Sequence, residues 1–174
     1  SLVPTSSTTE QIAIGDCLAV GALNMKKFNK KNFKMLHPHG TLGNQLKTAE
    51  DLMISKLDIP FINENSNMKK AIDLITRKKL GMIIAVNKKR CTTGIITDGQ
   101  IRRISEKKGS FQKLKVRDVM TKNPISINAD VLAAKALSLM NSKRITFLCV
   151  HRRKQKNKTI GVLHIHNILE NNIQ

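Results

Sequence analysis

Two stretches of the sequence, GIITDGQI at residues 94–101 and GVLHIHNI at residues 161–168, share one order of residue types. Each has a glycine, then an apolar run as long as a buried strand, then residues that begin a helix. The longer stretches AIDLITRKKLGMIIAV, at 71–86, and ALSLMNSKRITFLCV, at 136–150, also correspond. A repeat at this spacing indicates two copies of one structural unit.

Each copy contains an extended piece, a helix, a strand, a hairpin rich in Lys, Arg and Asn, a second strand and a closing helix. Met68, Ala71 and Ile75 show the helical spacing. A unit of about 60 residues buries little apolar surface alone, so the two βαββα units are expected to pack as an intramolecular pseudo-dimer of class α+β. Strand ends and helix N-termini then meet in clefts suited to phosphate. The extended pieces are predicted at 59–62 and 124–127, and the strands at 82–86, 93–97, 145–150 and 159–163.

The beginning of the chain has a different character. A Ser/Thr-rich start followed by apolar residues predicts a helix over residues 5–23. Residues 24–34, rich in Lys and Asn, predict a polar link, and Pro38, Gly40 and Gly43 predict that helical structure is broken there. The sequence begins with Ser1 rather than an initiator Met and continues with the apolar Leu2 and Val3, from which we expect a chain that starts within a longer protein.

The charge is strongly basic, with 31 Lys and Arg against 12 Asp and Glu and a net charge of +19. Such an excess first suggests nucleic acid or an anionic membrane as a partner. Most of it is lysine beside many Ile and Asn, a bias that A/T-rich codons alone produce. Aromatic residues make up 3% of the chain, so the stacking platforms of RNA and single-strand binders are missing. We therefore expect a solvated basic surface rather than a nucleic-acid binder.

The three cysteines, Cys17, Cys91 and Cys149, show no metal-binding spacing. Because Cys17 lies in an apolar helix and Cys149 in an apolar strand, both are predicted to be buried, reduced thiols. This favours a cytoplasmic protein. No apolar run reaches the ~20 residues of a membrane span, so no membrane partner is expected.

The repeated pattern at residues 94–97 resembles the signature of CBS domains, nucleotide-sensing modules in which a glycine, two apolar residues and a threonine precede an aspartate. The succession of PTSSTT at 4–9, HPHGTLG at 37–43 and TDGQIRR at 97–103 resembles more specifically the C-terminal part of the D-arabinose-5-phosphate isomerase family. That family carries a sugar-isomerase (SIS) domain before a CBS pair. The resemblance implies three parts, namely the end of an SIS domain and a linker at 1–48, a first CBS domain at 49–112 and a second at 113–174.

The same resemblance implies that His37 is the active-site histidine and that Ser7 and Thr8 contribute to substrate binding. Aldose–ketose isomerisation moves a proton through an enediol and needs a base, which neutral histidine provides at pH 7. From the residues alone, the simpler interpretation is that His37 ends a helical segment. His39 stands where the family has glycine and is costly there if the backbone is left-handed. A metal site at His37 and His39 lacks further ligands nearby, so neither a metal nor a cofactor is expected.

In CBS pairs the signature threonine approaches a phosphate and the aspartate holds a ribose hydroxyl. This chain keeps Thr97 but has Gln100 at the aspartate position, and the second copy has His164 and Asn167 at the two positions. An amide accepts hydrogen bonds from a diol less strongly than a carboxylate does, so the resemblance implies weak adenosine binding. The pair of histidines in HIH, at 164–166, is interpreted as structural, with both rings on one face of a strand.

Arg102 and Arg103 follow the first signature at the start of the closing helix. They are either anion ligands beside the cleft or part of a solvated face, and the sequence leaves both interpretations open. The candidate effector-binding residues are therefore Thr97, Gln100, Arg102, Arg103, His164 and Asn167.

Two functions fit these features. In the first, the chain is the regulatory part of an enzyme that interconverts D-arabinose 5-phosphate and D-ribulose 5-phosphate for 3-deoxy-octulosonate and lipopolysaccharide synthesis, and a nucleotide or sugar nucleotide is its effector. Residues 1–174 alone should then be inactive, because the other catalytic groups of the family lie upstream. In the second, the chain is a stand-alone ligand-sensing CBS pair. In either case the resemblance implies a homo-oligomer, a dimer or a tetramer.

Overall fold

The computed structural model describes residues 4–36, 41–55, 58–107, 113–155 and 157–173. The chain divides into two compact units, Ser1–Leu46 and Lys47–Gln174.

The described part of the first unit is helical, with α1 (Thr5–Met25), α2 (Lys30–Leu36) and α3 (Thr41–Gln45). The helix predicted over residues 5–23 is confirmed and ends two residues later. The polar link predicted over 24–34 is wrong in its second half, because α2 already begins at Lys30.

The start of α2 is explained by two asparagines. The N–H of Asn32 donates to Oδ1 of Asn29 (3.2 Å), and the N–H of Asn29 donates to Oδ1 of Asn32 (3.1 Å). This reciprocal pair satisfies free N–H groups in the way of a capping box. Gly43 lies inside α3, so the prediction that it breaks helical structure is wrong, whereas Pro38 and Gly40 lie outside the described residues.

Cys17 is exposed, so its predicted burial is wrong. No residue of α1 is buried, and the apolar side chains are spread around the helix, with Ile12 67% and Leu18 70% exposed. A helix with apolar side chains on all sides is buried only where other elements surround it, and every residue of α1 is exposed here.

The second unit contains two copies of the predicted βαββα arrangement, each preceded by a short helix and a short strand. The first set is α4 (Ala49–Leu52), β1 (Ile54–Ser55), β2 (Phe61–Asn63), α5 (Met68–Lys78), β3 (Met82–Val86), β4 (Thr92–Thr97) and α6 (Asp98–Lys107). The second set is α7 (Val116–Val119), β5 (Thr121–Lys122), β6 (Ser126–Asn128), α8 (Ala133–Lys143), β7 (Phe147–His151), β8 (Gly161–His164) and α9 (Ile165–Leu169). The α+β class and the order of elements in each repeat are confirmed.

The long helices of the repeats end in the same unusual way. The α5 helix starts after Asn67, whose side chain accepts from the N–H of Lys70 (3.1 Å), and it ends at Lys79 with φ 53°. The α8 helix ends at Arg144 with φ 52°. A left-handed residue that is not glycine is uncommon, so both repeats place a basic side chain at one strained helix end.

The short segments are exchanged between the repeats. One sheet has the order β2-β3-β4-β5 and the other β1-β8-β7-β6. The α4 helix, which precedes the first repeat, donates from the N–H of Ala49 to the carbonyl of Val131 (2.8 Å), in the second. The α7 helix reciprocates from the N–H of Val116 to the carbonyl of Ser66 (2.8 Å). Each sheet is therefore completed by a segment that lies next to the other repeat in sequence.

The signature glycines make room for this exchange. A Cβ at Gly94, on β4, would collide with the Met120 side chain and would lie 2.9 Å from the carbonyl oxygen of Thr121. A Cβ at Gly161, on β8, would collide with the Met53 side chain. Both methionines belong to the exchanged segments, so the glycine of each signature is a packing requirement of the fold.

The two repeats share a core, as predicted. A cluster between their sheets joins Ile59, Met82 and Ile84 of the first repeat to Cys149 and Val162 of the second. The predicted burial of Cys149 is confirmed. Burial raises the pKa of its thiol to about 11, so the thiol stays protonated at neutral pH and is a poor nucleophile.

Candidate effector-binding site

The first signature ends where β4 turns directly into α6. Thr97 is the last residue of β4, and Asp98 begins the helix with its N–H donating to the carbonyl of Gly81 (3.0 Å). Gly81 has φ +66°, and a Cβ there would lie 3.3 Å from the Asp98 carboxylate. The hydroxyl of Thr97 has no hydrogen-bond partner among the described residues and is available to a ligand.

Gln100 is engaged on both ends of its amide. Its Oε1 accepts from the N–H of Thr97 (3.0 Å), and its Nε2 donates to the hydroxyl of Thr121 on β5 (2.7 Å). The first bond caps the N-terminus of α6, and the second ties α6 to the exchanged strand. Gln100 therefore holds the turn between β4 and α6 in place. It also occupies the position at which a ribose contact is predicted.

These residues border a cleft of about 350 Å³, which we call the signature cleft. It lies between the end of β4, the start of α6 and the segment that leads into β7, so both repeats contribute to it. Its lining residues are Ile95, Thr97, Gln100, Arg103, Thr121, Asn123, Pro124, Ile125, Arg144, Ile145, Thr146 and Phe147.

The signature cleft is positively charged. Arg103 and Arg144 line it, both are exposed, and no carboxylate is among the described residues that line it. Arg103 lies three residues beyond Gln100 and so shares its face of α6, whereas Arg144 reaches the cleft from the left-handed end of α8. Apolar groups, including the Phe147 ring, complete the wall. The cleft thus combines two cations and a free hydroxyl with an apolar surface.

Both repeats match the CBS domain, over residues 49–107 and 116–173, which together make up about two thirds of the chain. This chain belongs to the CBS domain family. The cleft at the end of the first CBS signature is accordingly the candidate ligand site of a CBS pair.

The relatives found by sequence are enzymes. The chain is 38% identical over 169 residues to the arabinose 5-phosphate isomerase KdsD of Salmonella typhimurium, an alignment that covers 97% of this chain and 51% of KdsD. The chain therefore spans about half the length of the curated relatives it matches, and it is homologous to their C-terminal region.

Solved CBS structures share the fold. CBSX2 of Arabidopsis thaliana, solved in complex with AMP, has a TM-score of 0.63 at 19% identity, covering 71% of this chain and 93% of its own. The CBS-domain containing protein ATU1752 from Agrobacterium tumefaciens has a TM-score of 0.67 at 14% identity, covering 78% and 100%.

The structure brings together only some of the predicted effector residues. Thr97, Gln100 and Arg103 line the signature cleft. Arg102 is exposed on α6 outside the cleft, because a helix turns by about 100° per residue. Sequence analysis missed Arg144. Its one signal is that the repeat aligns Arg144 with Lys79, at the end of α5.

His164 and Asn167 lie at the corresponding end of the second repeat. His164 is the last residue of β8 and caps α9, since its Nδ1 accepts from the N–H of His166 (3.3 Å). The prediction that the two histidines share a strand face is therefore wrong, because the chain becomes helical at Ile165. Their rings nevertheless lie 4.7 Å apart, and the His164 ring also lies 4.4 Å from the ring of Phe147.

The environment of His164 disfavours its charged form. Burial is the main cause that lowers its pKa below the ordinary value of 6.5, and the neighbouring His166 lowers it further, while Glu170 raises it. The carbonyl of Asn167 accepts from the side chain of Asn171 (2.7 Å), which in turn accepts from Lys47 (2.7 Å). The His164 side chain thus has a structural partner, whereas the bond at Asn167 involves only its backbone carbonyl.

The residues predicted to belong to the sugar-isomerase part lie in the first unit. The hydroxyl of Ser7 donates to the carbonyl of Pro4 (3.3 Å), and that of Thr8 donates to the carbonyls of Pro4 (3.0 Å) and Thr5 (2.9 Å). These bonds use both hydroxyls within the first turn of α1. His37 and His39 lie outside the described residues.

Two further findings concern the described ranges as a whole. No helix in them is both long and apolar enough to cross a bilayer. Nor do three His, Cys, Asp or Glu side chains within them gather closely enough to hold a metal ion.

Proposed function

We propose that this chain is the regulatory part of a D-arabinose-5-phosphate isomerase and that the signature cleft binds its effector. The observation that carries the proposal is the 38% identity with KdsD over 97% of the chain. The enzyme would interconvert D-arabinose 5-phosphate and D-ribulose 5-phosphate, at the entry to 3-deoxy-octulosonate and lipopolysaccharide synthesis. It would work in the cytoplasm as a homo-oligomer, a dimer or a tetramer.

The effector in this proposal is a phosphate-bearing small molecule, either a nucleotide or a sugar nucleotide. Arg103 and Arg144 supply charge-assisted hydrogen bonds to a phosphate, and the hydroxyl of Thr97 supplies a further one. The apolar wall around Phe147 suits a base or sugar face. Binding of AMP to the CBS pair CBSX2 supports this class of ligand.

Calorimetry on residues 1–174 tests the effector with three probes that share a phosphate, namely AMP, a cytidine sugar nucleotide and D-arabinose 5-phosphate. At least one is expected to bind with one-to-one stoichiometry. If none binds at millimolar concentration, the signature cleft is not an effector site.

Replacing Gln100 by Asp is expected to strengthen AMP binding about tenfold, since a charge-assisted hydrogen bond contributes about 1.5 kcal/mol or more. The shorter carboxylate can still accept from the N–H of Thr97 but gives up the bond to Thr121, and it presents two strong acceptors to a ribose diol. The measurement is the AMP dissociation constant by calorimetry. Gln100→Asn is the matched control, because it is equally short and uncharged. Equal affinities for the two variants would contradict the role of the charge.

The catalytic part of the proposal rests on the first unit. Residues 1–48 would be the end of a sugar-isomerase domain and a linker, His37 its catalytic histidine, and Ser7 and Thr8 would contribute to substrate binding. The two CBS domains would be residues 49–112 and 113–174.

Purified residues 1–174 are expected to show no interconversion of D-arabinose 5-phosphate and D-ribulose 5-phosphate, because one histidine without the rest of the pocket cannot hold the enediol geometry. The measurement is product formation from D-arabinose 5-phosphate, with the Salmonella KdsD enzyme as a positive control. Turnover that disappears in His37→Asn would overturn this expectation.

A further inference from the structure

A second cleft lies between the two hairpins of the CBS pair, well away from the signature cleft. It has a volume of about 670 Å³, within the range of small-molecule sites, and we call it the hairpin cleft. It lies beside Val86, the last residue of β3. Met82, at the other end of β3, pairs with Thr97 of the signature cleft. Met82 and Val86 are four residue steps apart along the strand, which is about 13 Å.

The mouth of the hairpin cleft is cationic. Lys88 and Arg90 reach it from the β3–β4 hairpin and Lys158 from the β7–β8 hairpin. All three are exposed, none of them forms an ion pair within the described ranges, and no carboxylate is among the described lining residues. By contrast, Arg153 of the same second hairpin is paired with Asp130 (2.7 Å). Three cations therefore face one opening without a protein anion to neutralise them.

The hairpins are held in place by each other. The N–H of Thr92 donates to the carbonyl of Asn157 (2.7 Å), and the hydroxyls of Thr92 and Thr159 are hydrogen-bonded (2.8 Å). The side chain of Asn87 accepts from the N–H groups of Lys89 (3.0 Å) and Cys91 (3.0 Å), which shapes the first turn. A preorganised opening loses less entropy on binding than a mobile one.

The apolar residues Phe61, Val86 and Ile160 also line the hairpin cleft, and we call them its floor because they are half-buried while the three cations are exposed. Asn63 and Gln155 add amide groups. A bare phosphate would use only the cationic mouth. A phosphate group carries a charge of about −1.5 to −2 at pH 7, so three cations match more than one phosphate. The floor additionally suits an apolar or aromatic ring.

From this combination we propose that the hairpin cleft is a second ligand site, which takes a small organic polyphosphate with its phosphates on Lys88, Arg90 and Lys158 and its ring on Phe61. The site is independent of the signature cleft in position and in residues. One chain would then sense two ligands, one at each end of β3.

The test is calorimetry on residues 1–174 with ATP and inorganic triphosphate, in a variant with Arg103→Gln and Arg144→Asn so that the signature cleft is disabled. ATP is expected to bind more tightly than triphosphate, because only ATP has a ring for the floor. The double substitution Lys88→Gln with Lys158→Gln is expected to weaken ATP binding at least tenfold. Circular dichroism checks that the variants are folded.

The matched control is Lys89→Gln with Lys154→Gln, which removes the same charge from the same hairpins at residues that do not line the cleft. ATP affinity within twofold of the parent is expected for this pair. An equal loss in both pairs would overturn the proposal in favour of diffuse attraction. Absence of millimolar ATP binding would overturn it as well. So would a twelve-nucleotide RNA that binds more tightly than ATP and is weakened equally by both pairs.

Discussion

Replacing Gly94 by Ala is expected to lower the free energy of unfolding by about 2 kcal/mol, the usual effect of overpacking a tightly packed site. The added methyl group would collide with Met120 and lie 2.9 Å from the carbonyl oxygen of Thr121. The methionine side chain can move, but the carbonyl belongs to β5, which is paired with β4. Urea unfolding followed by circular dichroism measures the change.

Gly99→Ala is the control, because no atom outside its chain neighbours and the backbone of its own helix lies within 4 Å of a Cβ at that position of α6. Alanine favours helix over glycine, so Gly99→Ala is expected to leave stability unchanged or raise it by up to about 1 kcal/mol. If Gly94→Ala were as harmless as Gly99→Ala, the close packing of the exchanged segment on β4 would be contradicted.

The equivalent glycine of the second repeat sharpens the comparison. All three near contacts of a Cβ at Gly161 belong to the side chain of Met53. The pair Gly161→Ala with Met53→Ala is therefore expected to be less destabilised than the sum of the two single variants. The stability of the pair Gly94→Ala with Met120→Ala is expected to lie closer to the sum of its two single variants, because the Thr121 carbonyl oxygen still lies close to the added methyl group.

The repeat architecture could be predicted from the sequence because both of its signals are local. Strand β3 was predicted at its observed bounds, since Met82 to Val86 is an uninterrupted apolar run between a glycine and a polar hairpin. The α5 helix was recognisable from Met68, Ala71 and Ile75, which are buried on one face. The shared core followed from the size of one repeat, which is too small to bury its apolar surface alone.

The exchange of α4–β1 and α7–β5 could not be predicted in the same way. The repeat pattern shows that DLM at 51–53 corresponds to DVM at 118–120, but the pattern is identical whichever sheet each segment joins. The pairing depends on side-chain packing, since Met53 packs against Gly161 and Met120 packs against Gly94. A glycine in a strand indicates that another group approaches closely, but it does not indicate which group.

The candidate site was predictable where one residue decides its position. Thr97 ends β4 and Gln100 lies three residues later, so the signature predicts both at the strand end. Choosing between Arg102 and Arg103 requires the phase of α6, which two adjacent arginines do not reveal. Arg144 comes from the other repeat, and its contribution depends on how the repeats pack. The local pattern thus predicts the part of the cleft that follows β4, whereas tertiary packing decides which arginines line it.

Removing the cations of the signature cleft is expected to reduce affinity for the phosphate-bearing probe that binds the wild type, whichever of AMP, the cytidine sugar nucleotide and D-arabinose 5-phosphate it is. Arg103→Gln and Arg144→Asn should each lower affinity about tenfold. This effect is at the low end of the range for hydrogen bonds to charged groups, because both side chains are exposed. The double variant should lose about a hundredfold if the two contacts are independent. Dissociation constants by calorimetry are the measurement.

Two controls separate a ligand contact from general charge and from backbone strain. Arg102→Gln removes the same charge one residue away, outside the cleft, and is expected to keep the affinity within twofold. Lys79→Asn removes a basic residue from the equivalent left-handed helix end, with φ 53° against 52° at Arg144, so it reproduces any effect of the backbone without touching the cleft. Asparagine tolerates this conformation well, which keeps both helix ends intact. Loss of affinity in Arg102→Gln or Lys79→Asn equal to that in the cleft variants would mean that the arginines act through the overall charge or the helix end, and the phosphate would then have to bind elsewhere.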